Sequence, residues 1–232
     1  VTAAPRLIYH HHITDVLRPE PHPSLSTKAY DEIRRMIVRL DLAPGAVIRE
    51  DELRTSLGLG RTPIREAIQR LVRDQFVTVM PRRGMFVSGI DVAELATLYE
   101  TRAIIEPYAA RLACRRADPS RWDGVRAALQ HAPDTPTAEL LELDRQCHEA
   151  VWAAASNRFL TDTLDMLYAH SDRLWHLYLA DVDDMADAVD EHVAILDALR
   201  DGDADLAASL TEQHIRSFDA QIRTAVRRHL DP

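Results

Sequence analysis

The feature that most limits the fold is a change of pattern at Ser88-Gly89: short β-type runs stand just before it, and every sustained apolar pattern after it is helical. Upstream, Ala29, Ile33, Ile37 and Leu40 recur on one helical face from Thr27 onward, and Pro44-Gly45 ends that segment. Glu50 to Leu57 sets Leu53 and Leu57 one turn apart ahead of Gly58, and Thr62 to Gln75 turns Ile64, Ala67, Ile68 and Leu71 inward. Two extended runs follow, Val77 to Met80 and Met85 to Val87, around the turn Pro81-Arg82-Arg83-Gly84. Three helices and a hairpin enclose too small a core for much besides a binding module. Downstream, Asp91-x-x-Glu94 has the spacing of a capping box and opens a long helix to Arg116. Further helices are predicted near 120–131, 136–155, 157–180, 184–201 and 204–229, separated at Pro119, Pro133, Pro136, Asn157 and Gly202. The fold class is therefore mainly α: an arm over residues 1–23, a three-helix unit with a β-hairpin over 24–90, and an all-helical bundle of about six helices over 91–232.

Charge divides along the same boundary. The chain carries a net charge of -9, yet residues 24–90 hold 12 Lys/Arg against 8 Asp/Glu, while residues 91–232 hold 14 against 27. A basic segment joined to an acidic one is the asymmetry expected when one part alone meets phosphate. Two cysteines, Cys114 and Cys147, have no CxxC spacing, which speaks against a disulfide framework and a thiolate zinc cluster. No stretch approaches the roughly 20 apolar residues of a membrane span, and the N-terminal residues lack a signal-peptide core. A cytoplasmic protein without a membrane partner is expected.

The helix Glu50 to Leu57, the glycine-containing turn and the run Gly60-Arg61-Thr62-Pro63-Ile64-Arg65-Glu66-Ala67 have the spacing of a helix-turn-helix. Arg61 and Arg65 are i and i+4 at the start of the second of these helices, the end that enters a major groove. A guanidinium there can pair with guanine O6 and N7 or neutralise phosphate, and Thr62 with the helix N-terminus adds phosphate contacts. At the hairpin tip, Arg82 and Arg83 suit the negative potential of a neighbouring minor groove, and Gly84 permits close backbone approach. For any one arginine the alternative is the solvated face of an amphipathic helix; together they converge on one surface.

In the helical part, Asp144 and His148 are i and i+4 and so share a face. His192 and His214 lie on two other predicted helices. One oxygen and three nitrogens suit zinc, nickel, manganese or iron, and an octahedral ion held by four protein ligands keeps two positions open for a carboxylate effector. Among eleven histidines, a chance Asp-x-x-x-His remains the alternative on spacing alone.

The run Tyr30 to Val87 resembles the winged helix-turn-helix of the GntR family, carried here by Pro44-Gly45, Glu52-Leu53, Arg61 to Ala67 and Arg82 to Gly84. Gly60 stands where many relatives have Ser or Thr, and Asp51 where a basic residue is common; no DNA contact is carried over to Asp51. Residues 91–224 resemble the FCD ligand-binding domain of the FadR branch, through Glu100-Thr101-Arg102 to Glu106, Asp144-x-x-x-His148, Ser156-Asn157, Glu191-His192 to Leu199, and Gly202-Asp203.

The resemblance implies a non-enzymatic transcriptional regulator: a homodimer on double-stranded operator DNA, controlled by a small effector of the organic-acid or sugar-acid type. It implies Arg61, Thr62, Arg65, Arg82, Arg83 and Gly84 at DNA. It also implies a divalent metal on Asp144, His148, His192 and His214, zinc before nickel, manganese or iron, and effector contacts from Arg102 and Asn157. Two structural alternatives stay open: an ion pair of Arg102 with Glu106 at i+4, and a helix cap for Asn157. Two functional ones do as well, a metalloenzyme, for which no general acid or base is recognisable, and a regulator whose signal is the metal itself.

Overall fold

In the computed structural model, which describes residues 23–129, 137–178 and 186–230, the N-terminal unit is built on helix α1 (Leu25–Val38). The His10-His11-His12 run, Pro133 and Pro136 lie outside the described residues. Ser24 caps α1, its hydroxyl accepting from the Thr27 amide at 3.1 Å. The helix stops at Val38 instead of running on to Leu40: Leu40 takes a left-handed φ of 65°, and the Leu42 amide returns to the Met36 carbonyl at 3.0 Å. Helices α2 (Glu50–Leu57) and α3 (Arg61–Arg73) follow, with left-handed Gly58 closing α2. Ala29, Ile33, Ile37, Ile64, Ala67, Leu71 and Phe76 form the fully buried centre.

The wing has one strand more than the sequence pattern shows. Strand β1 (Val47–Ile48) pairs with β3 (Gly84–Val87), which also pairs with β2 (Val77–Met80), giving an antiparallel sheet of order β1-β3-β2 with Val47 opposite Phe86 and Val79 opposite Met85. Two residues hold a single alternation, so β1 has no period to read.

Asp91 does cap, its carboxylate accepting from the Ala93 amide at 2.8 Å, but the turn it starts is 3-10 (Val92–Glu94) and leads into α4 (Leu95–Arg116). Helices α5 (Arg121–Leu129), α6 (Thr137–Ala154), α7 (Arg158–Tyr178), α8 (Ala186–Arg200) and α9 (Ala204–Leu230) complete the described bundle. Helix α4 packs against α6, α7, α8 and α9, most extensively against α9, and so lies at the centre. Its inward face carries charge: Arg102 and Glu106 are buried there, with Asp144, His148, Ser171, His192, Thr211 and His214 arriving from the surrounding helices. Buried charges persist only when they are paired or hold an ion, so this interior marks a site.

Helix α7 joins the two units. Arg34 of α1 holds Asp165 through two hydrogen bonds of 2.5 and 3.1 Å. The His170 imidazole stacks on Phe76 at 4.1 Å with planes 4° apart, and its Nε2 donates to the Asp74 carbonyl at 2.9 Å. Ala169 enters the N-terminal core, and Arg173 Nη2 donates to the Ser88 carbonyl at 2.5 Å.

Candidate metal centre and DNA-recognition surface

Three helices besides α7 converge to bring the four sequence-predicted ligands together. Asp144 and His148 project from one face of α6, His192 comes from α8 and His214 from α9, and all four are buried. One ligand atom from each lies within 4.8 Å of every other. The Nε2 atoms of His192 and His214 are 3.5 and 3.7 Å from Asp144 Oδ1, and His214 Nε2 is 3.3 Å from His148 Nε2. Metal–ligand bonds of about 2.1 Å place neighbouring ligand atoms roughly 3.0–3.5 Å apart, so the cluster is close to coordination spacing.

The outer ring atoms set two of the imidazoles in the form a metal needs. His214 Nδ1 is 2.7 Å from Glu191 Oε2, His192 Nδ1 is 2.9 Å from the Ala188 carbonyl, and His148 Nδ1 is 2.8 Å from Glu106 Oε2. For His214 and His192 the neighbour is a hydrogen-bond acceptor, so the proton resides on Nδ1 and the Nε2 lone pair faces the centre; Glu106 Oε2 lies near His148 Nδ1 but is without a hydrogen-bond partner. Tyr168 of α7 donates its hydroxyl to Asp144 Oδ2 at 2.6 Å, while Asp144 Oδ1 is buried with no hydrogen-bond partner. An orphaned carboxylate oxygen among three imidazoles is what a cation would satisfy, and the donor set therefore fits a divalent transition metal.

The electrostatics agree. Burial pushes the His214 pKa well below the usual imidazole value, reinforced by His192 and His148, and burial lowers His192 as well. Burial would raise the Asp144 pKa, but the positive charge that His148, His192 and His214 carry when protonated, together with the Tyr168 hydrogen bond, brings it below the usual carboxylate value. These directions carry a pH consequence. A histidine whose folded pKa is depressed contributes stability above its unfolded pKa of about 6.5 and loses it as pH falls through the folded value. Asp172, whose carboxyl burial raises to about 7, contributes in the opposite sense over the same range, so the measurement is made in Asp172→Asn: we expect the melting temperature of that variant after chelation, followed by circular dichroism, to fall as pH is lowered from about 7 to about 5. A flat profile there would contradict neutral buried imidazoles.

Arg102 and Asn157 occupy the structural alternatives named for them. Arg102 Nε donates to Glu106 Oε1 at 2.5 Å and Nη1 to Ser171 Oγ at 2.8 Å, with the guanidinium 5.1 Å from the Tyr168 ring centre. Burial would push Glu106 up, but Arg102 and then His148 bring its pKa down to about 2. Asn157 Oδ1 accepts from the Leu160 amide at 3.3 Å at the start of α7. Neither residue lines the chamber beside the histidines, about 20 Å3 and bordered by Glu106, Cys147, Val151, Trp152 and Thr211. Glu106, Glu191 and Tyr168 were not among the sequence-predicted site residues. Glu106 and Glu191 fell within quoted motifs, but a motif does not show which ring nitrogen a carboxylate will meet.

On the N-terminal unit, Arg61, Thr62, Arg65, Arg82, Arg83 and Gly84 are all exposed. Gly60 caps α3 with backbone alone, no side chain meeting the first amides. Pro63 in the first turn lacks an amide, and those of Arg61 and Thr62 lie at the open helix end. Arg65 Nε donates to Glu50 Oε2 at 2.8 Å across the two helices, and Arg54 Nη1 donates to Asp51 Oδ1 at 2.8 Å. At the wing tip the Arg83 amide closes the turn on the Met80 carbonyl at 3.0 Å, with Arg82 at φ 65° and Gly84 at 109°. A side chain at positive φ costs on the order of 1 kcal/mol, a strain held where a basic residue stands outermost.

Comparison with known proteins agrees with both halves. The family described as "Bacterial regulatory proteins, gntR family" matches residues 25–87, and the "FCD domain" matches residues 97–217. An HTH-type transcriptional regulator in an unstable DNA locus of Streptomyces ambofaciens is 32% identical over 82% of this chain and 82% of its own length. The Nta operon transcriptional regulator of Aminobacter aminovorans is 30% identical over 83% of this chain and 91% of its own. Among solved structures, E. coli McbR/YncC superposes with a TM-score of 0.74 at 18% identity, covering 86% of this chain and 97% of that one, a likeness of fold. The chain thus belongs to the GntR family of bacterial transcriptional regulators, with a helix-turn-helix domain that binds DNA and an FCD domain that binds an effector.

Proposed function

We propose that this regulator binds operator DNA as a homodimer and is controlled by a small organic or sugar acid, held at a divalent metal on Asp144, His148, His192 and His214. The observation that carries the proposal is the buried Asp144 Oδ1, without a partner among three inward-facing imidazoles. Zinc suits the donor set first, then nickel, manganese or iron. A bound ion would supply Lewis acidity to anchor a carboxylate in this buried, charge-bearing interior. A twofold dimer matches a palindromic operator, with Arg61, Thr62 and Arg65 at the major groove and Arg82, Arg83 and Gly84 at the neighbouring backbone and minor groove. A DNA-binding role fits work in the cytoplasm.

The chamber of about 20 Å3 holds little more than one water, so an acid of several carbons enters only as the helices around it shift. Arg102 sits one shell out, held by Glu106; an incoming carboxylate competes with Glu106 for its bidentate fork. Helix α7 is the element that reports the change. Tyr168 and Ser171 tie it to Asp144 and Arg102, and Asp165, His170 and Arg173 tie it to the DNA-binding unit. An effector that prefers one position of α7 thereby prefers one placement of the recognition helices.

The test is a thermal-shift screen of metal-loaded protein against small carboxylic and sugar acids, repeated after chelation and with Arg102→Ala. At about 100-fold excess over Kd a ligand adds roughly 2.7 kcal/mol, which for a chain of this size is a rise of several degrees. The expected result is a rise with one acid, lost in both controls. Loss on chelation alone would leave Arg102 as a structural ion pair. No rise with any acid, with chelation itself changing operator affinity, would identify the metal as the signal.

A further inference from the structure

Of the two buried guanidiniums among the described residues, Arg102 and Arg173, Arg173 has no counterion. Its exposure is 2%, it forms no ion pair with any described residue, and its Nε has no hydrogen-bond partner; Nη2 reaches only the Ser88 carbonyl. Burial, with no carboxylate to oppose it, pulls its pKa down to about 10. By contrast Arg102, equally buried, has Glu106 at 2.5 Å. Buried charge without an opposite charge is costly, and in folded proteins it ordinarily meets a partner or a ligand.

Arg173 also borders a large opening. Between the DNA-binding unit and the bundle lies a cleft of about 1130 Å3, separate from the histidine chamber, whose walls come from α3 and the wing on one side and α4 and α7 on the other. Val72, Val77, Ile90, Leu98, Met166 and Leu167 make much of it apolar. Nothing lies within 4 Å of where a side chain at Gly89 would begin, so the space continues to the segment that links the two units.

Three carboxylates stand around this cleft without serving Arg173. Asp74 accepts from the Tyr30 hydroxyl at 2.7 Å, Asp91 caps the Ala93 amide, and Glu94 is exposed and forms no ion pair with Arg173. Arg73, exposed on the opposite wall, adds a second cation, and His170, lowered by burial, adds none at neutral pH. Acidic groups at the margin repel polyanions, while an apolar wall with one buried guanidinium favours a single carboxylate on an apolar body.

We propose that this cleft is a second ligand site, one that takes a small amphipathic monocarboxylate whose head pairs with Arg173 and whose body lies between the two units. Such a ligand touches both sides of the joint, so it binds one relative placement of the units better than others and changes operator affinity without the metal. The inference does not rest on the reading of the metal centre.

The experiment measures the melting temperature of the full chain, as purified and after chelation, against phenylacetate at constant ionic strength, with phenylacetamide as the neutral control of the same shape. Two variants accompany it: Arg173→Gln, and Thr97→Trp, which puts a bulky group on an exposed position lining the cleft and leaves the core untouched. The expected result is a saturable rise of several degrees with phenylacetate, unchanged by chelation, absent with the amide, and weakened at least tenfold in apparent affinity in both variants. No rise, an equal rise with the amide, or a rise retained in whichever variants fold would overturn the proposal. A rise lost on chelation would overturn it too and leave the metal-centre reading standing; a rise that survives chelation, with no acid dependent on the metal, would reverse the two.

Discussion

Alanine at His214, or removal of the metal by a strong chelator, is expected to lower the melting temperature by about 10 °C and to leave the protein without stoichiometric metal. An ion present at 100 to 1,000 times its Kd stabilises by roughly 3 to 4 kcal/mol, and each kcal/mol is worth about 2–4 °C in a chain of this length. His214 is the most telling position because it is fully buried and lies within 4 Å of both Asp144 Oδ1 and His148 Nε2. Its removal also leaves Glu191 and Asp144 facing an empty space, so the loss exceeds that of an ordinary His→Ala change. Metal content by elemental analysis is the direct readout, with calorimetry alongside. Full occupancy in His214→Ala would refute the ligand set. A melting temperature indifferent to chelation of the parent protein would deny the ion any structural weight.

Arg65→Ala should weaken specific operator binding by roughly 10- to 100-fold, the range of one bidentate base contact, with the melting temperature within about 2 °C of the parent. The side chain is 55% exposed and its pairing with Glu50 is a surface ion pair, which contributes little to stability. Fluorescence anisotropy at two salt concentrations separates the two roles an arginine has there. Loss of sequence preference with an unchanged salt dependence marks base readout; uniform weakening with a shallower salt dependence marks a phosphate contact. Unchanged affinity would remove α3 from the interface.

The parts of this molecule that could be read from its sequence are those whose signals are local. Leu53 and Leu57, or Ile64, Ala67, Ile68 and Leu71, repeat at helical spacing, and the structure buries Leu53 and the α3 set as that spacing requires. Leu40 kept the apolar spacing of α1 yet left the helix, because spacing records which face a side chain prefers and not whether the backbone has already turned. Asp91 was legible as a cap, but the handoff from a 3-10 turn to α4 is not, since both begin with the same capped amide.

The candidate metal ligands were half legible. Asp144 and His148 share a helix face; His192 and His214 are 22 residues apart on different helices, so the residues alone offered them only as candidates and the family resemblance is what tied the four into one set. What orients those ligands was not legible at all. Glu106 to His148, Glu191 to His214 and Tyr168 to Asp144 are contacts between helices, fixed by how the bundle packs. The same holds for the joint between the units, where Phe76 meets His170 across more than ninety positions of chain without any pattern that pairs them.

The bare backbone cap at Gly60 has a wider consequence for how the protein can evolve or be redesigned. A serine at this position would find room, the nearest atom to its Cβ being Pro63 Cδ at 3.8 Å, and its hydroxyl would tie down the first amides of the recognition helix. Those amides are also the ones a backbone phosphate would claim. If α3 meets phosphate through those amides, residue 60 sets an exchange rate between thermal robustness of the free protein and its grip on DNA: whatever the helix gained from capping itself would be withdrawn from what the operator could supply. With glycine, the first turn would then be left for the operator to finish.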